Sequence, residues 1–310
     1  MIGSGQSPLT PHSHAEHDIA LLWWVMFGVS CVGLTLIAVL LLLGWIRRNR
    51  AALPFGGSER AATRLIVGLG IATPVVLLSA LFIWSDVFVI RSTAAPSPRS
   101  TALTVHVVGH QWFWEIRYGA QQVTANELHI PVRTRVQVIG TTADVIHSLW
   151  VPELNRKADL IPGRTNYLLL YADRAGTYLG QCAEFCGLQH AHMEIVVVAE
   201  PRARFEQWLR TQGQPAAAAA NGPGLQLFES KGCANCHAIR GTAAESHVGP
   251  DLTHVASRQT LAAGTIPNDR AHLREFVRDP QALKPGAKMP QLPQTPGQTA
   301  ALVRYLEGLK

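Results

Sequence analysis

Residues 181–193 read QCAEFCGLQHAHM. Within thirteen positions this stretch gathers Cys182, Glu184, Cys186, His190 and Met193. Thiolate and thioether sulfur are soft donors that favour copper over hard cations, whereas imidazole suits copper and zinc alike. Two thiolates from one loop can bridge two metal ions, and such a set needs a second imidazole from elsewhere. His147, in TTADVIHSLWVPEL (141–154), is the candidate, at the end of a strand-like run. A structural zinc site of the Cys2His2 type is the rival. Zinc accounts for the cysteines and histidines but leaves Met193 without a role.

The flanking sequence says what kind of scaffold carries this loop. LTVHVVGHQWFWEIRY (103–118), NELHIPV (126–132), RVQVIGTT (135–142), NYLLLYA (166–172) and EIVVVAE (194–200) are short β-rich runs separated by Gly, Pro and Asn. That texture predicts an all-β sandwich or barrel over 102–200. RARFEQWLR (202–210) reads as a short closing helix. QGQPAAAAANGPG (212–224) reads as a low-complexity linker, so 201–222 separates two domains. Beyond it, 223–310 has helical texture, with Ala301, Leu302, Tyr305, Leu306 and Leu309 on one face.

That last segment carries a second motif. Residues 233–237 are CANCH, and C-x-x-C-H is the attachment signature of c-type haem, with two thioethers from Cys233 and Cys236 and an axial His237. A redox dithiol is the alternative, but it has no need of the adjacent histidine. Of the four methionines, only Met289 in AKMPQLP follows the motif, and Met/His ligation raises a haem potential. His247, His254 and His272 compete for the sixth position. The five cysteines thus fall as two close pairs plus Cys31, a metal and cofactor pattern rather than a disulfide framework.

The N-terminal part is of another kind. The chain of 310 residues is 47% hydrophobic and only 15% charged, and two uncharged runs account for this, 19–46 and 65–85. Each is long enough to cross a bilayer, the second extending to about residue 90. The first is too long for a signal-peptide core and follows no basic leader, so it reads as an anchor that stays. The connection 47–64 holds Arg47, Arg48, Arg50, Arg60 and Arg64 against Glu59, while 1–18 has no Lys or Arg. The positive-inside rule places that connection in the cytoplasm and both the tail 1–18 and everything beyond the linker 91–101 outside. Asp86 falls at the outer interface, Cys31 reads as a small buried residue, and Glu59 matches no motif. The net charge of +6 is spread along the chain without a basic run rich in aromatics, which excludes a nucleic-acid surface. His106, His110 and His129 read as structural strand residues, His192 as a neighbour of the ligands, and His12, His14 and His17 as part of a disordered tail.

C-x-E-x-C-x-x-x-H-x-x-M, with VIHSLWVPEL, GHQWFWEIRY and a helical hairpin upstream, resembles subunit II of the haem–copper cytochrome c oxidases over residues 20–200. The appended CANCH domain resembles class I cytochrome c, VGPDL (248–252) included, and the whole is similar to subunit II of caa3-type oxidases. The resemblance implies a two-helix membrane hairpin, a cupredoxin domain with dinuclear CuA and an all-α cytochrome c domain with haem c. It implies that Cys182 and Cys186 bridge the coppers, that His147 and His190 bind one each, and that Met193 and the Glu184 carbonyl complete the set. The Glu184 carboxylate would ligate a Mg2+ shared with subunit I, and Trp112 would be where electrons reach copper. Implied partners are subunits I and III, a cytochrome c donor and the lipid bilayer, in a bacterial cytoplasmic membrane. No catalytic residue is expected on this chain, because oxygen reduction and proton pumping belong to subunit I. A CuA subunit of a nitric oxide reductase, or a membrane-anchored redox carrier without a catalytic partner, is the alternative.

Overall fold

The computed structural model describes residues 6–48, 59–97, 100–216 and 222–310. Residues 17–94 form one compact unit, and 1–16 with 95–310 form another. Within the first, helix α1 (His14–Arg47) and a second helical run, α2 (Glu59–Thr93), are each long and apolar enough to cross a membrane. Their large side chains face outward, as Leu34 at 70% and Phe82 at 72% exposure illustrate. A helix hydrophobic all round needs a nonaqueous surrounding. α2 contains π-helical turns at Gly68–Ala72 and Ser85–Ile90. The first lies just ahead of Pro74, which has no N–H to continue the ladder. The Thr73 hydroxyl donates instead to the Gly68 carbonyl at 2.9 Å. One expectation is corrected here: Cys31 is exposed on α1 rather than buried. The second helical run continues through Asp86 to Thr93. Most of the basic connection, residues 49–58, lies outside the described residues.

The second unit begins with an ordered segment, where a disordered tail was expected. His12 N–H donates to the Glu153 carbonyl and the His12 carbonyl accepts from Asp173 N–H. Ser13 hydroxyl donates to the Leu154 carbonyl, and the His14 ring stacks on Tyr171. These contacts are invisible to composition, because their partners lie over 140 residues away.

Ten strands form two five-stranded sheets. One has the order β3 (Val123–Ala125), β2 (Phe113–Arg117), β1 (Leu103–His110), β5 (Val136–Thr142), β8 (Asn166–Leu170). The other has β4 (Glu127–Pro131), β10 (Glu194–Glu200), β9 (Gly176–Cys182), β6 (His147–Trp150), β7 (Ala158–Leu160). β1 pairs parallel to β5, and β4 parallel to β10; the other pairings are antiparallel. In β1 the period of two puts Val105 and Val107 in the core and His106 in solvent. The sheets close on Trp114, Ile116, Leu128, Leu149, Leu160, Leu168 and Ile195. This is the cupredoxin-like sandwich.

After the sandwich, α3 (Arg202–Gln212) lays Phe205 and Trp208 against Tyr118. The linker's middle, 217–221, lies outside the described residues. The remainder is helical: α4 (Pro223–Ser230), α5 (Arg270–Arg278), α6 (Pro280–Leu283) and α7 (Pro296–Glu307), with a two-residue hairpin pair, β11 (Thr260–Leu261) and β12 (Ile266–Pro267). Thr295 and Gln298 cap α7 reciprocally, with Pro296 at the first turn. Leu302, Val303 and Leu306 then meet Phe228 and Leu273 in a separate core.

One strand histidine has a specific structural job. His129 lies between Glu200 Oε1, 2.8 Å from Nδ1, and Glu127 Oε1, 2.9 Å from Nε2, and stacks on Trp208. Burial alone would lower its pKa, but the hydrogen bonds and charges of the two carboxylates outweigh that and raise it. The imidazolium's contribution is therefore complete below the ordinary histidine pKa and is lost as pH rises through the raised one. Stability of this unit should fall as pH rises above neutrality, and His129→Leu should remove that alkaline dependence. The same substitution should cost about 3–5 kcal/mol, since it leaves two buried carboxylates uncompensated. Thermal unfolding across a pH series checks both; an unchanged pH profile in the variant would sink the assignment.

Candidate functional site

β9 ends at Cys182, whose N–H donates to the Met193 carbonyl at 3.0 Å, and Ala183 N–H donates to the Ser148 carbonyl at 2.8 Å. These bonds close residues 183–193 into a loop pinned at both ends. The register Leu149↔Cys182 then brings the start of β6, His147, against the loop. The outcome is a convergence of soft donors. Cys182 Sγ lies 3.7 Å from Cys186 Sγ, 3.8 Å from His147 Nδ1 and 3.2 Å from the Glu184 carbonyl. Cys186 Sγ lies 3.7 Å from His190 Nδ1 and 3.9 Å from Met193 Sδ. His147 and Met193 are fully buried, Cys182 and Cys186 nearly so. Glu184 is exposed, as is its neighbour Phe185.

Sulfur–metal bonds of about 2.3 Å and imidazole–metal bonds of about 2.0 Å at a tetrahedral angle separate donor atoms by roughly 3.5–3.8 Å. The observed sulfur–sulfur and sulfur–nitrogen separations match those edges, so the residues fit a metal. Each cysteine has its own imidazole, which suits two ions sharing two thiolates. A hydrogen bond between the thiols pulls Cys182 well below the ordinary thiol range and pushes Cys186 above it. The pair as a unit gives up its first proton easily and resists the second.

Sequence reasoning missed what orients His147. Asp144 Oδ1 lies 2.9 Å from His147 Nε2, leaving Nδ1 aimed at sulfur. Asp144 in turn accepts from the N–H groups of Gln111 and Val145, at 2.7 and 2.8 Å. Its partial burial raises its pKa, but these bonds and His147 outweigh burial and hold it below the usual carboxylate range. A carboxylate three residues before a histidine at a strand end was the available signal.

In the helical part, Cys233–Asn235 form a single 3₁₀ turn, and His237 N–H donates back to the Cys233 carbonyl at 3.0 Å. His237 Nδ1 lies 2.8 Å from the Pro250 carbonyl, which fixes the donor on Nδ1 and leaves Nε2 free as a ligand atom. Burial lowers the His237 pKa and keeps the ring neutral. Leu252, Phe276, Val277 and Leu283 fringe the core without being fully buried, an apolar margin of the kind a porphyrin face covers. Met289 is half-buried, in a loop held by Gln281 Nε2, which donates to the Ala287 and Met289 carbonyls at 2.9 and 2.8 Å. His272 is paired with Asp269 at 2.7 Å, and His254 Nε2 lies 2.9 Å from the Gln214 carbonyl. The side chain of His247 is half exposed and lies 3.9 Å from Glu115.

Comparison with known proteins agrees with this geometry. Residues 120–200 match the family "Cytochrome C oxidase subunit II, periplasmic domain", and 222–310 match "Cytochrome c". Cytochrome c oxidase subunit 2 of Alkalihalophilus pseudofirmus is 36% identical over 221 residues, 69% of this chain and 64% of that one. The Bacillus subtilis protein of the same name is 31% identical over 226 residues, 67% and 63% of the two chains. That of Lycodon semicarinatus is 32% identical over 163 residues, 43% of this chain and 72% of that one. The chain belongs to the cytochrome c oxidase subunit II family. It spans a little under two thirds of the length of the two bacterial relatives. Family and apolar helices together make this subunit II a membrane-anchored chain with a periplasmic domain, and it also carries a cytochrome c domain.

In this subunit II the aromatic run at 111–114 abuts the cysteine loop. Trp112 Nε1 donates to the Cys186 carbonyl at 3.0 Å, and Gln111 Nε2 donates to the same oxygen at 2.8 Å. Trp114 is buried and meets His147 edge-on, and Phe113 stacks on His110. His192 contributes its carbonyl rather than its ring, accepting from Lys284 of the cytochrome part at 2.9 Å. Asp144→Ala should lower copper affinity of the cluster about 10–100-fold by freeing the His147 ring. Competition for copper against a chelator, with the wild-type chain alongside, measures this; equal retention would show that Asp144 does not orient His147.

Proposed function

We propose that this chain is the electron-input subunit of a caa3-type terminal oxidase, carrying haem c and dinuclear CuA ahead of a haem–copper subunit I that reduces oxygen and pumps protons. The observation that carries the reading is the donor set itself: two sulfurs 3.7 Å apart, one imidazole nitrogen on each, and a thioether. Zinc would leave Met193 idle and would not transfer electrons.

Cys182 and Cys186 would bridge two copper ions, with His147 Nδ1 on one and His190 Nδ1 on the other. Met193 and the Glu184 carbonyl would complete the set. Cys233 and Cys236 would hold haem c by thioether bonds, with His237 and Met289 as axial ligands. Bound there, the two groups supply one-electron carriers at potentials set by their surroundings. The residues do the rest. The pinned loop keeps the donors from moving when charge changes, and the apolar core excludes water from His147 and Met193. The hydrogen bond from Trp112 to Cys186 gives incoming electrons a short covalent and hydrogen-bonded way to the bridging sulfur. The exposed Glu184 carboxylate is free to ligate a Mg2+ at the contact with subunit I. Subunit III would lie beyond subunit I, and an external cytochrome c would donate to the haem. The location would be a bacterial cytoplasmic membrane with both cofactor domains outside. Met289 is favoured as sixth ligand because His254 and His272 already have partners of their own.

The 310-residue chain, matured with haem and reconstituted with copper in detergent without other subunits, should contain two coppers per haem. Its electron paramagnetic resonance spectrum should show one unpaired electron shared over both. One copper with an ordinary four-line signal, or zinc with no signal, would refute the dinuclear reading. Met289→Ala in the same preparation should lower the haem reduction potential and convert the haem to a high-spin spectrum. An unshifted spectrum would remove Met289 from the axial position.

A further inference from the structure

Lys284 is 4% exposed, and no carboxylate lies within hydrogen-bonding distance of it among the described residues. An ammonium has three donors and no acceptor. Here all three are used on backbone carbonyls from three separate segments: Trp112 at 3.0 Å, His192 at 2.9 Å and Ala262 at 2.8 Å. Trp112 follows β1 and bonds to Cys186; His192 precedes Met193; Ala262 follows β11 in the cytochrome part. Burying a cation is costly unless it is hydrogen-bonded, and an apolar side chain here would leave the three carbonyls without this donor. Only a group with several donors ties the three carbonyls together.

The surrounding contacts run between the same two parts. Glu194 N–H donates to the Ala263 carbonyl at 2.9 Å, and Gln259 N–H donates to Glu127 Oε2 at 2.8 Å. Gln189 Nε2 donates to the Pro285 carbonyl. Ala262 and Ala263 take left-handed backbone conformations, φ 53° and 58°, ahead of Gly264 at φ 83°. Such conformations in non-glycine residues persist where surrounding contacts over-determine them. A Cβ on Gly264 would sit 2.5 Å from Glu194 Cβ. The loop that begins with Lys284 also presents Lys288 to Asp144 at 3.5 Å, and then reaches Met289. One short segment therefore carries the buried cation and the candidate axial ligand.

We propose that Lys284 is a positioning residue that latches the cytochrome part onto the Trp112 edge of the cysteine loop through its three carbonyl bonds. This rests on the proposed assignment of copper and haem for its consequence, though not for the contact itself. The latch holds the Met289 loop and Trp112 in fixed register, so that transfer from haem to copper occurs within the docked chain. External donors reduce the haem before any transfer across this contact.

The test uses Lys284→Met in the full chain with both cofactors loaded. Hydrogen exchange at the Glu194 and Gln259 amides should speed up at least tenfold, while exchange in the core of β1 and in α7 stays the same. Transfer from haem to copper, followed after rapid reduction of the haem by an external donor, should slow at least tenfold at an unchanged rate of haem reduction. A general loss of stability would instead alter both rates and exchange throughout. Unchanged exchange at the two amides, or unchanged transfer with exchange altered, would overturn the proposal. If Lys284→Met does not accumulate, Gly264→Ala strains the same contact from its other side and should show the same pattern. Altered exchange in a chain that binds no copper would refute the functional reading and leave the latch standing.

Discussion

Two sulfur atoms kept 3.7 Å apart inside a protein core are the constraint on which the rest of the second unit depends. Two thiols at that distance hydrogen-bond to each other without being joined as a disulfide, and only one of them loses its proton easily. The arrangement persists because backbone bonds fix both ends of the loop, at Cys182 to Met193 and Ala183 to Ser148. Those bonds need β6, β9 and β10 side by side, and the strands need the valine-, leucine- and isoleucine-rich core behind them. The sandwich is thus a frame that imposes a donor geometry, and a metal has little to rearrange on arrival.

Legibility in the sequence followed contact range. The candidate donors of the loop lie within twelve residues of one another, so spacing alone brings them out. His147 was visible because it closes a strand-like run, and the strands because buried and exposed positions alternate. Asp144, Gln111 and Lys284 escaped notice because an aspartate, glutamine or lysine in a polar stretch looks like any solvated one. Gln111 and Lys284 also reach partners 75 and 172 residues away, and Asp144, only three residues from His147, is itself fixed by Gln111, 33 residues away. The ordered tail failed in the same way: three histidines in a Ser- and Gly-rich stretch give no sign that Glu153, Leu154, Tyr171 and Asp173 are waiting for them. The π turn at Gly68–Ala72 sits at a proline that interrupts the ladder, for which hydropathy carries no signal.

The contact between the sandwich and the cytochrome part is polar, and tethering explains why this suffices. Joining two modules on one chain turns their association into an intramolecular step at an effective concentration in the millimolar range for short flexible linkers. A separate donor must bind with enough apolar area to be recognised and must then leave at each turnover. A tethered donor, which is the role proposed for the cytochrome part, need do neither. It can stay docked through hydrogen bonds, a buried lysine and two glycines, Gly264 and Gly286, whose missing Cβ atoms allow close approach to Glu194 and Leu188. Such bonds specify register rather than supply affinity, and register is what electron transfer over a fixed distance requires. The exposed Phe185 lies in the same loop, beside the half-buried His190 ring, and the cytochrome contacts leave it uncovered. The loop therefore has one flank engaged by its own cytochrome part through Trp112 and His192, and another, at Glu184 and Phe185, still open, which is the arrangement an intermediate carrier needs.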